Sequence, residues 1–225
     1  MTGRAASAVL HPSMRAWLGV IAGLSALVVA AIGVLVAGGG EAGAVDRWVQ
    51  SAVGDAAAPW RSVALAVDFW GEPAGAATLV VVAMSWCLAA GQRRAAVVTV
   101  AGGAVTVGAT TLLKPLVGRT IHGGNLSYPS GHTAFFTAIA LAVALLVTSR
   151  RRGGSAGTLL VLGAALVTGT AMGWAQVALG AHYPTDVVGG LFAALAVVPV
   201  TAHLVDLAAD RMGAGRAGGG RAARR

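Results

Sequence analysis

Six apolar runs separated by short polar segments fill most of this chain, and each approaches the roughly 20 residues that cross a bilayer core as helix. They lie at about 17–37, 74–90, 95–113, 133–148, 157–179 and 187–205. The fourth is short by hydropathy alone and reaches spanning length if its helix starts at Ser130. Inside lipid the backbone has to satisfy its own hydrogen bonds, so runs of this kind commit the chain to helices. The expected fold is an all-α, polytopic bundle of six transmembrane helices.

Composition excludes the alternatives. Of 225 residues, 56% are hydrophobic and only 11% charged, against about 25% charged in an ordinary soluble domain. The net charge of +8 would suit nucleic acid, but the basic residues sit in short inter-span segments and at the C-terminus, where membrane topology accounts for them and no nucleic-acid partner is implied. A lone Cys87 excludes an intramolecular disulfide, and no Cys/His spacing resembles a zinc site.

Lys and Arg tend to stay on the cytoplasmic side. That rule puts Arg4, Arg15, Arg93, Arg94, Arg150, Arg151, Arg152, Arg211, Arg216, Arg221, Arg224 and Arg225 on one side. Arg47, Arg61, Lys114 and Arg119 fall on the other, together with Glu41, Asp46, Asp55, Asp68, Glu72 and Asp186. Both termini are therefore expected in the cytoplasm, in a multi-pass protein of the plasma membrane. The first span, with Arg4 and Arg15 ahead of it and Ala42-Gly43-Ala44 behind it, reads as an uncleaved anchor, because its apolar stretch exceeds that of a signal peptide.

The expected organisation is a cytoplasmic segment 1–15, a membrane domain 16–206 and a basic, disordered cytoplasmic tail 207–225. An outer segment, 38–73, should carry short amphipathic helices with Trp48, Trp60 and Trp70 at headgroup level. Gly19/Gly23 and Gly169/Gly173 are small-xxx-small pairs, expected to pack helices closely.

In a chain so poor in charge, ionisable groups at span ends are the informative ones. Lys114 and Arg119 form a cation pair past the third span; alone, they also fit snorkelling anchors. Ser130 is a natural N-cap, with Gly131 behind it leaving the first helical amides open to an anion and His132 in the first turn. Alone, that is also an ordinary capped helix. His182 and Asp186 stand four apart where Pro184 starts a helix, so the carboxylate can fix the tautomer and leave the other ring nitrogen free to attack; alone, this is equally a structural contact. All three fall on the outer side, within loop 114–132 and at the sixth span. Together they form the parts for covalent phosphoryl transfer through phosphohistidine.

These residues resemble the type 2 phosphatidic acid phosphatase family, whose motifs are Lys, six residues, Arg-Pro; Pro-Ser-Gly-His; and Ser-Arg, five residues, His, three residues, Asp. The resemblance covers Lys114 to Asp186. It implies a six-span, metal-independent lipid phosphatase needing no cofactor and acting on a phosphorylated lipid in the bilayer. His182 would be the nucleophile, Asp186 its orienting carboxylate, and His132 the donor to the leaving oxygen. Lys114, Ser130 and Gly131 match phosphate-binding positions. No carboxylate cluster for a metal stands out in the sequence.

Two places depart from the family. Ile121-His122 stand where the pattern has Arg-Pro, and Ala175-Gln176 where it has Ser-Arg. Arg119, His122 and Gln176 are then expected to serve phosphate or headgroup binding instead. The competing readings are a catalytically impaired lipid-phosphate-binding or scaffold member of the same fold, and a transporter. The span interiors carry almost no charge, which disfavours the last.

Overall fold

The computed structural model describes residues 8–54, 57–150 and 154–222. Arg4, Asp55, Arg151, Arg152, Arg224 and Arg225 lie outside the described residues. Proline at the first helical position opens α1 (Pro12–Leu35), which buries a stripe of Met14, Leu18, Ala22, Ser25, Val29 and Gly33. Two short helices follow, α2 (Ala44–Val53) and α3 (Trp60–Asp68), then a 3₁₀ turn, Phe69–Gly71, that leads into α4 (Pro73–Ala89). The expected outer helices are thus present, with Trp48 and Trp60 exposed and Trp60 edge-on to Trp174.

Four long helices complete the bundle: α5 (Arg93–Val117), α6 (Gly131–Arg150), α7 (Ser155–Ala178) and α8 (Pro184–Ala222). Packed against α5, α7 and α8, α6 is the most enclosed span, and α1, lying along α8, the least. Leu141, Leu145, Val161, Ala194 and Val198 belong to the main core.

Five helices are long and apolar enough to cross a membrane. The sixth expected span is α4, whose 17 residues rise about 25 Å, short of a hydrocarbon core of about 30 Å. It completes a crossing only with α3 and the 3₁₀ turn, which meet it at 63°. The all-α expectation needs one small amendment: β1 (Thr120–Ile121) pairs antiparallel with β2 (Asn125–Leu126) between α5 and α6. Another concerns the tail, where α8 continues as helix to Ala222. Extending an existing helix is easier than nucleating one, although the five glycines between 213 and 222 weaken this stretch.

The glycine pairs divide. Cβ atoms at Gly169 and Gly173 would run into Leu191 and Val187 of α8, so this pair does permit close packing. At Gly19 and Gly23 nothing lies within 4 Å. The face of α1 that packs inward is the one carrying Leu18 and Ala22, so the expectation fails for the first pair.

Charge sorts to two ends of the bundle, as the sequence suggested. At one end Asp206 of α8 accepts hydrogen bonds from the amides of Val9 and Leu10, each 2.9 Å, and pairs with Arg94 of α5 at 3.3 Å. The other end gathers the start of α2, the end of α3, the α5–α6 loop and the start of α8.

Candidate active site

Local chain rules build the third motif. Gly180, with φ of 70°, turns the chain out of α7, and the amides of Ala181 and His182 return to the Gln176 carbonyl at 2.9 and 3.3 Å. Tyr183 then precedes Pro184 at the start of α8, and the carboxylate of Asp186, three residues on, accepts from the Tyr183 amide at 3.1 Å. This is the reach-back of an acid at the third helical position to its N-cap. The same Oδ2 lies 3.5 Å from His182 Nδ1. Asp186 is fully buried and His182 nearly so.

The second motif sits beside it. Ser130 Oγ accepts from the Thr133 amide at 3.4 Å, as an N-cap should, and the Ser130 amide donates to the Asp186 carbonyl at 2.9 Å. The first intrahelical bond of α6 runs from Ala134 to Ser130, leaving the amides of Gly131 and His132 at an open helix N-terminus. A Cβ on Gly190 of α8 would lie 2.4 Å from the Ser130 carbonyl, so glycine there lets the two helix starts meet.

Arg119 is not an open phosphate cation. It is buried, with Nη1 donating to Asp186 Oδ1 at 2.7 Å and to Thr185 Oγ1 at 2.6 Å, and Nη2 donating to Asp46. Its guanidinium stacks 4.2 Å from the centre of the Tyr183 ring. Asp46, from α2, also accepts from the Thr185 amide and hydroxyl at 2.9 and 2.8 Å. Burial pushes the Asp46 carboxyl up, but the hydrogen bonds from Arg119 and Thr185 outweigh it and hold the group below the usual carboxylate value. Burial raises the Tyr183 phenol.

The other expected phosphate ligands are similarly engaged. His122, in the left-handed region at φ 48°, has Nε2 2.6 Å from the Gly180 carbonyl and so fastens the β1–β2 turn to the loop bearing His182. Gln176 is buried and donates from Nε2 to Asp68. Lys114 Nζ donates to the Leu126 carbonyl at 3.1 Å, leaving two of its three donors for a ligand.

Sequence reasoning missed the residues around His132. Its Nε2 is buried without a hydrogen-bond partner, 3.4 Å from Glu72 Oε1 and 3.7 Å from Asp68 Oδ1. A Cβ on Gly71 would fall 2.1 Å from the His132 ring, so the 3₁₀ turn lies directly against it. Asp68, Glu72 and His132 offer ligand atoms all within 4.8 Å of one another, close enough to hold a metal ion. No such cluster stood out in the sequence because Asp68 and Glu72 are distant from His132 along the chain and meet it through the fold. Asp46, Asp68 and Glu72 were visible only as an excess of carboxylates on the outer side.

The protein is a helical bundle of the integral membrane class, with a His–Asp pair set against an open helix N-terminus at one end. Residues 114–209 match the model of the PAP2 superfamily. The fold of the chain is also that of the crystal structure described as the first transmembrane PAP2 type phosphatidylglycerolphosphate phosphatase from Bacillus subtilis. The two share 18% identity at a TM-score of 0.61, over 81% of this chain and 92% of that one. Comparison with curated proteins gives no match.

Proposed function

We propose that this protein is a lipid phosphatase of the plasma membrane, with its site on the outer face and both termini in the cytoplasm. The carrying observation is His182 Nδ1 facing the buried Asp186 carboxylate at 3.5 Å beside the open N-terminus of α6. With Nδ1 toward the carboxylate, Nε2 is the attacking atom. It forms an N–P bond as the P–O bond to the lipid breaks, and His132 gives its proton to the departing oxygen. Water then attacks the phosphohistidine, returns a proton to His132 and releases inorganic phosphate. The amides of Gly131 and His132 and the Lys114 ammonium hold the phosphoryl oxygens. Ser130 contributes by capping α6, and Arg119 by holding Asp186. Candidate substrates are a polyprenyl diphosphate, phosphatidylglycerophosphate and phosphatidic acid. An apolar groove of about 370 Å³, lined by Val49, Val53, Trp174, Pro184, Val187 and Leu191, adjoins the His182 loop and suits a lipid chain.

One observation favours a second reading. Arg119 is committed to two carboxylates and Gln176 to Asp68, so a protein that binds lipid phosphate with little turnover is the alternative. The test is phosphate release from a panel of lipid mono- and diphosphates by the detergent-purified protein, with EDTA, beside His182→Ala. Release that survives EDTA and disappears in the variant is expected, with a bell-shaped pH profile from the two histidines. No release from any lipid would leave the binding protein.

A further inference from the structure

The surroundings of His132 bear on the leaving group. Resting on the phosphatase reading above, we infer that the site takes a lipid phosphomonoester, whose leaving group is a neutral alcohol, and discriminates against a lipid diphosphate. In either reaction the bond between phosphorus and the leaving oxygen breaks as N–P forms, and the oxygen takes its proton from the His132 ring. A leaving oxygen in hydrogen-bond reach of either ring nitrogen, about 2.8 Å, lies within about 9 Å of both Glu72 Oε1 and Asp68 Oδ1, given their 3.4 and 3.7 Å separations from Nε2.

An alcohol leaving group is uncharged once protonated, and hydroxyls near the reacting ester can donate to Glu72, which is half exposed. A diphosphate expels a lipid phosphate, which keeps negative charge even after taking the proton and meets both carboxylates. The cations that would offset this are withdrawn. Arg119 is held by Asp46 and Asp186 on the far side of the His182 pair. Position 176 carries a neutral glutamine, whose amide bonds Asp68 without cancelling its charge. Lys114 remains for the transferred phosphoryl group. Repulsion between unit charges about 9 Å apart, with a surface-like dielectric, disfavours the diphosphate by at least about tenfold per carboxylate.

The decisive measurement is kcat/KM for one prenyl chain presented as monophosphate and as diphosphate, in detergent with EDTA, for the wild-type protein, Glu72→Gln and Gln176→Arg. Because the ratio is taken within each protein, partial loss of folded material cancels. The wild type should prefer the monophosphate by about 100-fold, the product of two such repulsions. Glu72→Gln should narrow the preference about tenfold, and Gln176→Arg, by pairing with Asp68, by a similar factor. Equal or faster diphosphate turnover by the wild type, or a ratio unmoved in both variants, overturns the inference and leaves the phosphatase intact. Turnover of neither substrate overturns the phosphatase reading itself, and this inference with it.

Discussion

The bundle carries a buried arginine–carboxylate network at each end, and the two are put to different uses. At the N-terminal end Asp206 accepts two backbone amides and one arginine, so every member of the cluster joins pieces of chain: the segment before α1, the start of α5 and the end of α8. At the site end Asp46, Arg119, Thr185 and Asp186 join α2, the α5–α6 loop and α8 in the same manner. There the network also stops short, leaving Nδ1 of His182 and Nε2 of His132 without hydrogen-bond partners. Nearly complete hydrogen bonding marks a joint, and imidazoles set among carboxylates with a ring nitrogen unbonded mark a place where protons can be exchanged.

Removing the two arginines tests that difference with the largest expected effect. In Arg119→Met, two fully buried carboxylates lose their cation, which costs about 3–5 kcal/mol of stability. Thermal unfolding in detergent should show the loss, and phosphate release should fall with it as Asp186 loses its anchor. Arg94→Met removes a partner that is partly exposed, and Asp210 opposite it is exposed as well. Asp206 keeps its two amide donors, so the cost should be about 1–2 kcal/mol, with the activity of the folded fraction unchanged. Equal destabilisation by the two variants would erase the distinction.

Gly71→Ala probes the open side of the site without touching either network. A methyl 2.1 Å from the His132 ring must displace either the imidazole or the 3₁₀ turn. A displacement of about 1 Å at a catalytic group can cost about 100-fold in rate, so kcat of the folded fraction should drop by about that factor, beside an overpacking cost of about 1–3 kcal/mol that lowers the unfolding midpoint. Full activity in this variant would mean that His132 does not need the position it occupies.

The contrast between the ends also explains what could be read from the sequence. The spans were legible because lipid admits one local solution to the backbone, and His182, His132 and Lys114 could be singled out as candidates because each abuts a helix terminus in a charge-poor chain. Asp46, Asp68 and Glu72 were not assignable, since Asp46 comes from the short outer helix α2 and Asp68 and Glu72 flank the bend between α3 and α4. Arg119 was misjudged for a related reason. Spacing places a cation near a phosphate but says nothing of whether a carboxylate some 70 residues away in sequence has already claimed it. The length of α4 and the exposed Gly19 and Gly23 likewise depend on which neighbours the fold supplies.

Acid should loosen the site end through Asp46. Asp46 is held below its ordinary carboxylate value in the folded protein. Its contribution is therefore present in full above the unfolded value near 3.9 and is lost as pH falls through the lower folded one. Asp46→Asn should remove that component of acid sensitivity, seen as a shallower fall of the unfolding midpoint with pH below about 4. An unchanged slope would mean that other carboxylates govern it.

The smallest effects should come from glycines remote from both networks, where packing and helix propensity oppose each other. At Gly169 the Cβ of alanine would lie 2.6 Å from Leu191 Cδ1 and 3.3 Å from Thr137 Oγ1. The leucine end can rotate, so Gly169→Ala should cost about 1 kcal/mol after the gain in propensity is counted. At Gly23 no atom stands within 4 Å, so nothing offsets the preference of helix for alanine, about 1 kcal/mol per site in soluble hosts. Gly23→Ala, alone or with Gly19→Ala, should leave the unfolding midpoint unchanged or raise it slightly. A clear destabilisation would mean that this face of α1 is covered in the membrane by a closely approaching helix, which only a second copy or another chain could supply.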